Sequence, residues 1–171
     1  MSISVSDVTI QLRPLQTSDL ELLESWLLEP HVSPWYVRPA EDLAWAADPP
    51  AGGSQAIIVA DDQDVGYLRW QRVDRATLDS IGLDDIPENS VDADIILGAG
   101  GLGRSVGSSA LEALVSELRR DPSVPLIGLT TELANTRAHR AFERAGFRKD
   151  RQYDAPPLGR CHLMLRDLRL G

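Results

Sequence analysis

Apolar and polar positions along this chain follow two periods. Residues 8–15 (VTIQLRPL) alternate with a period of two, which predicts a first strand. The stretch TSDLELLESWLLE changes period. Leu20, Leu23 and Leu27 with Trp26 make a helical stripe, and Ser18 with Glu21 has capping-box spacing. Pro30 and Pro34 stop that helix, and a short one is predicted over 39–47 before Pro49 and Pro50. SQAIIVADDQDVGYLRWQRV reads as a hairpin, with strands at 55–60 and 65–73 and a turn at 61–64. Residues 74–90 are polar with no period and are expected to be irregular. SVDADIILG is a strand, 105–120 a helix carrying Leu111, Leu114, Val115 and Leu118, and VPLIGLTTE a buried strand. NTRAHRAFERAGF is a short helix stopped by Gly146. Residues 149–153 and 161–168 would pair as a closing hairpin.

The predicted order begins with antiparallel hairpins and ends with strands alternating with helices. That is an α+β arrangement with a mixed sheet, not a doubly wound parallel one. With 171 residues and no interdomain linker, the chain reads as one domain, 1–171. No apolar run is long enough to cross a membrane. The opening MSISVSDVTIQL lacks the basic and apolar regions of a signal peptide. Cys161 is the single cysteine, so no intrachain disulfide and no cysteine-based metal site is expected. These features point to the cytoplasm. The net charge of −9 disfavours a nucleic-acid surface and suits a small cationic partner.

The chemistry concentrates in DIILGAGGLGRSVGSSALEAL, where a strand enters a glycine-crowded loop and then a helix. Such a turn seats a phosphate on a helix N-terminus. Gly98-Ala99-Gly100-Gly101-Leu102-Gly103 matches the spacing of a dinucleotide loop, but it follows a hairpin instead of opening a repeated βαβ unit. No Gly-Lys-Ser/Thr follows, so it is not a P-loop.

LGRSVGSSAL resembles the acetyl-CoA loop of the GNAT N-acetyltransferases, a Gln/Arg-x-x-Gly-x-Gly/Ala pattern at the start of a long helix. Leu102 takes the Gln/Arg position, Ser105 the first glycine and Gly107 the second. NTRAHRAFERAGF is similar to the family's N-x-x-A-x-x-x-Y-E-K-x-G-F, with Asn135, Ala138, Glu143, Gly146 and Phe147 in register. The resemblance implies a GNAT-type fold, a mostly antiparallel mixed sheet with helices on both faces. It implies acetyl-CoA as co-substrate and no metal. Leu102, Gly103, Arg104, Ser105, Val106, Gly107 and Ser108 would lie along the pyrophosphate. Ile96, Leu97, Asn135, Ala138 and Phe142 would lie along the pantetheine arm. Asn135 could equally serve as a helix N-cap. The family's tyrosine, which can protonate the departing thiolate, falls at Phe142, so that hydroxyl is missing. Either Tyr153 or water would supply the proton, or the thiolate would leave unassisted.

The front half is similar to the aminoglycoside 6′-N-acetyltransferases: a helix ending in Ser25-Trp26-Leu27, the pair Trp35-Tyr36, the segment VGYLRWQRV, and VDADIILG, which brings that family's catalytic aspartate onto Asp94. Asp92 and Asp94, two apart on a strand, share a face. A carboxylate there can hold an ammonium and take its proton. The substrate-binding set implied is Trp35, Tyr36, Trp70, Asp92, Asp94 and Glu132; Trp26 belongs to the core. The resemblance implies acetyl transfer to an aminoglycoside amine, the 6′-amine first, by direct attack in a ternary complex, with resistance as the consequence. The protein would be a monomer or homodimer. The alternatives are acylation of a siderophore lysine-type amine or a protein N-terminus, and a non-catalytic acyl-CoA-binding module.

Overall fold

The computed structural model describes residues 8–169. The leader-free reading of MSISVSD therefore lies outside the described residues. Seven strands form one sheet in the order β1-β2-β3-β4-β5-β7-β6. They are β1 (Ile10–Arg13), β2 (Gly53–Ala60), β3 (Gln63–Arg72), β4 (Val91–Leu97), β5 (Leu126–Glu132), β6 (Arg148–Ala155) and β7 (Gly159–Asp167). Every neighbouring pair is antiparallel except β4 and β5. The helices are α1 (Leu20–Leu27), α2 (Pro39–Ala47), α3 (Arg75–Ser80), α4 (Val106–Leu118) and α5 (Thr136–Arg144).

Strand alternation sends side chains to two faces, and each face has its own apolar cover. On one side α4 and α5 pack Leu111, Leu114, Val115 and Phe142 against Ile58, Leu68, Ile127 and Leu129. On the other, α1 and α2 place Leu23, Trp26 and Ala46 over Ile57, Tyr67 and Ile96. Trp26 is thus a core residue. It presses against Gly98 so closely that a Cβ there would lie 2.3 Å from the indole nitrogen.

Two local expectations are corrected. Residues 74–90 are not wholly irregular: they contain α3, whose N-cap Asp74 accepts a hydrogen bond from the Thr77 N–H at 2.8 Å. Leu78, Leu83 and Ile86 then form a third cluster with Leu126 and Leu163 of the sheet. Their spacing straddles a helix and a loop, so no single period shows. The Ser18–Glu21 capping box is also not the one formed. A 3-10 turn at Thr17–Asp19 precedes α1, and the Asp19 carboxylate accepts from the Gln16 N–H at 2.7 Å. Arg13 fixes that carboxylate with two hydrogen bonds of 2.8 Å. This bidentate pair holds the Asp19 carboxyl below its usual range, against the opposing effect of burial.

Candidate active site

The parallel pair β4 and β5 is bonded over only part of its length. Val91, Asp92 and Ala93 pair with Ile127, Gly128 and Leu129, and the strands then part. Asp94–Leu97 and Thr130–Glu132 form the two prongs of a fork. A cleft of about 990 Å³ occupies it, at the upper end of the range for ligand pockets. Among the predicted residues, the prongs supply Ile96, Leu97, Asp94 and Glu132 to the cleft wall, and the bonded part of β4 supplies Asp92. The loop before α4 supplies Leu102, and α4 itself Gly107. The α5 end contributes Asn135, Ala138 and Phe142, and the 30s loop contributes Trp35 and Tyr36.

One half of the cleft suits a phosphorylated thiol. The turn into α4 uses left-handed backbone at Gly103 (φ 80°) and Ser105 (φ 58°), and no side chain caps the helix. The N–H groups of its first turn, at Val106, Gly107 and Ser108, are therefore left for an anion. Ser105 takes the left-handed conformation that the family's glycine would adopt without strain. Gly107 lets α4 approach the prong: a Cβ there would sit 3.3 Å from Leu97 Cδ1 and 3.8 Å from Ala141 Cβ. Arg104 pairs with Asp61 at the β2–β3 turn. Besides Arg38 and Arg69, the cleft is lined by three cations of α5, Arg137, Arg140 and Arg144, exposed along one stripe of that helix. Asn135 caps α5, its side-chain oxygen accepting from the Ala138 N–H at 3.4 Å. Thr131 lines the same cleft, and its buried hydroxyl has no hydrogen-bond partner. An orphaned hydroxyl, an uncapped helix start and a cationic rim together match the donors and charges that a coenzyme A thioester would need.

The other half is acidic and built around Arg69. One of its terminal nitrogens donates to Asp42 at 3.0 Å and to Asp94 at 3.1 Å, and the guanidinium stacks 5.1 Å above Trp45. Burial alone would lower the Arg69 pKa, but the charges of Asp94 and Asp42 outweigh it. The Tyr36 hydroxyl shares its single proton between Asp94 (3.1 Å) and the Ile95 carbonyl (2.9 Å), and His31 Nε2 donates to the Leu97 carbonyl at 2.8 Å. These contacts tie the 30s loop to the outer half of β4.

Asp92 has no such partners. It stands open to the cleft, on the face that Asp94 shares. The protein packed around it, and the negative charge of Asp94, push its carboxyl up to about 7. Burial likewise raises Glu132, with a smaller push from Asp94. Tyr153 and Thr130 share a 2.6 Å hydrogen bond at the start of the fork. Burial raises the Tyr153 phenol above its usual value, and the Thr130 contact opposes this.

Trp70 is a correction. The register opposes Arg69 to Asp94 and Trp70 to Ala93, so alternation sends Arg69 into the cleft and Trp70 to the opposite face, against the α4-side core. Sequence reasoning missed Arg69 and Asp42 because cross-strand register and helix-to-strand contact are not written in one segment. It also missed the arginines of α5, whose spacing at 137, 140 and 144 within NTRAHRAFER did carry the signal.

A mixed seven-stranded sheet whose single parallel pair opens into a fork, with a helix N-terminus at its mouth, is the architecture of a GNAT-type domain. An acetyltransferase (GNAT) domain model matches residues 16–155, and the chain belongs to this family. The structure resembles the aminoglycoside acetyltransferase AAC(6')-Ib in complex with coenzyme A and kanamycin, with a TM-score of 0.78 and 25% identity over 93% of this chain and 95% of that one. An aminoglycoside N(6')acetyltransferase from Legionella pneumophila shares the fold at TM-score 0.75 and 17% identity, over 94% and 92% of the two chains. An uncharacterized protein from Bacillus halodurans does so at 0.83 and 17%, over 98% and 88%. Comparison with curated protein sequences returned no match. Among the described residues, no helix is long and apolar enough to cross a membrane.

Proposed function

We propose that this protein transfers the acetyl group of acetyl-CoA to an amine of an aminoglycoside, the 6′-amine first, and so confers resistance. The observation that carries the reading is the polarity of the forked cleft. Asp42, Asp92, Asp94 and Glu132 line its acceptor half with Arg69, and Arg137, Arg140 and Arg144 line its donor half. A polycationic sugar and a polyanionic thioester would each meet opposite charge. The similarity to a kanamycin-bound structure supports the same choice.

The chemistry needs a neutral amine beside the thioester carbonyl. Asp94 is the residue that the family resemblance marks as catalytic. Held by Arg69 and Tyr36, it would orient the ammonium. Asp92, unpartnered and raised to about 7, is suited to accept its proton. The nitrogen lone pair then attacks the carbonyl carbon, the nitrogen gives its second proton to solvent, and the C–S bond breaks. The departing thiolate takes a proton from Tyr153, which is still protonated at neutral pH, or from water. Cys161 is fully buried in β7 and plays no part.

Coenzyme A release measured against a panel of aminoglycosides, siderophore-type lysine amines and peptides tests the reading. Aminoglycosides are expected to give the highest kcat/KM. Preference for a lysine amine or a peptide N-terminus would replace the substrate, and binding of the thioester without turnover on any amine would replace the enzyme.

A further inference from the structure

Beneath α3, on the Asp92 face of the sheet, lies a second cavity of about 120 Å³. Its walls are Leu78, Leu83, Ile86, Leu126, Leu163 and Leu165, and Gly128 forms its floor. It meets the main cleft at Ile81, Asp92, Thr130 and Tyr153, which line both. Asp92 and Thr130 flank Ala93 and Leu129, the last bonded pair before the strands part, so the mouth opens at the apex of the fork.

A thioester seated between the prongs must present its acyl group at that apex, where the amine attacks. The chamber is larger than a methyl group needs: at about 30 Å³ for each water-sized group, it holds roughly four. Its interior is mostly aliphatic, with Gln71, Thr77 and Ser90 as the polar residues of its wall. The hydroxyls at its mouth, Thr130 and Tyr153, satisfy each other. The one carboxylate that lines it, Asp92, stands at the mouth, so the interior has no charge to hold a cationic sugar, whereas an aliphatic chain would lose nothing by desolvation.

We infer that this chamber is an acyl pocket, through which the protein accepts propionyl and butyryl thioesters of coenzyme A as well as acetyl. The inference rests on the acyl-CoA reading of the fork given above. It makes the glycine at position 128 a determinant of donor length. A Cβ built there would meet Leu165 Cδ2 at 3.5 Å and Leu163 Cδ1 at 3.6 Å, both ordinary contacts, so alanine fits the fold while narrowing the chamber.

Calorimetric titration of the full chain with coenzyme A, acetyl-CoA and butyryl-CoA tests this without knowledge of the acceptor. Burial of two further methylenes should make butyryl-CoA bind about tenfold more tightly than acetyl-CoA. Gly128→Ala, and Ile86→Phe from the opposite wall, should each reduce the ratio of butyryl-CoA to coenzyme A affinity at least threefold. Equal affinity for acetyl-CoA and butyryl-CoA would overturn the proposal. So would a butyryl preference that survives both substitutions, or a Gly128→Ala protein that is more stable with its ratio unchanged, which would mark the chamber as a packing void. Failure to bind coenzyme A in any form would instead remove the acyl-CoA reading itself.

Discussion

Asp92 and Asp94 stand two positions apart on β4, and their neighbours give them different work. Asp94 is bonded to Arg69 and Tyr36, while Asp92 is free and raised to about 7. A base must be ionised to act, so kcat/KM for an aminoglycoside should climb as pH rises through about 7 and level off above it. Asp92→Asn should cost roughly 10²-fold at the plateau and flatten that inflection. A pH profile between about 6 and 9 reads both effects. If Asp94→Asn, and not Asp92→Asn, removes the inflection, the proton goes to Asp94. Arg69→Gln tests the other half of the arrangement. It leaves the covered Asp42 and the half-exposed Asp94 without their cation, and should lower stability by about 1–3 kcal/mol in denaturant titration.

The fork depends on α4 and α5 being held close to the prongs, and Gly107 marks the tightest point. Gly107→Val puts bulk against Leu97 and over the amides of the first helical turn, so acetyl-CoA affinity should fall about tenfold or more by calorimetry while the protein stays folded. Replacing Arg137, Arg140 and Arg144 together by Gln should weaken coenzyme A binding and make what remains less sensitive to salt. An unchanged salt dependence would move the phosphates away from α5.

These elements also show where sequence was legible. The helices α4 and α5 announced themselves by one apolar stripe each, the central strands β3 and β5 by short continuous apolar runs buried on both faces, and the loop before α4 by glycines coinciding with a helix start. Asp94, Tyr36 and Asn135 could be named because short segments resemble those of a known family, and Asp92 because it shares a strand face with Asp94. Arg69 and Trp70 could not be sorted, since both lie on one strand and only its register with β4 decides which side chain enters the cleft. Helix α3 was hidden because six residues give too little period, and its apolar contacts continue into the following loop.

Taken together, the chain carries a net charge of −9 but separates its charges across the cleft. Screening should therefore raise KM for both the cationic acceptor and the anionic donor, by severalfold between low and physiological salt. The sheet that spans both halves is anchored on each face by residues with almost no exposure. Leu111→Ala should cost about 2–5 kcal/mol in global unfolding. What remains is whether the two halves work as one reaction centre. Acetyl-CoA carrying an isotopic label in its acetyl group, mixed with the protein and kanamycin, answers that. Direct transfer predicts that the label appears on the aminoglycoside amine in step with coenzyme A release, with none retained on the protein. Label left on the protein, or coenzyme A released without an acetylated aminoglycoside, would contradict it.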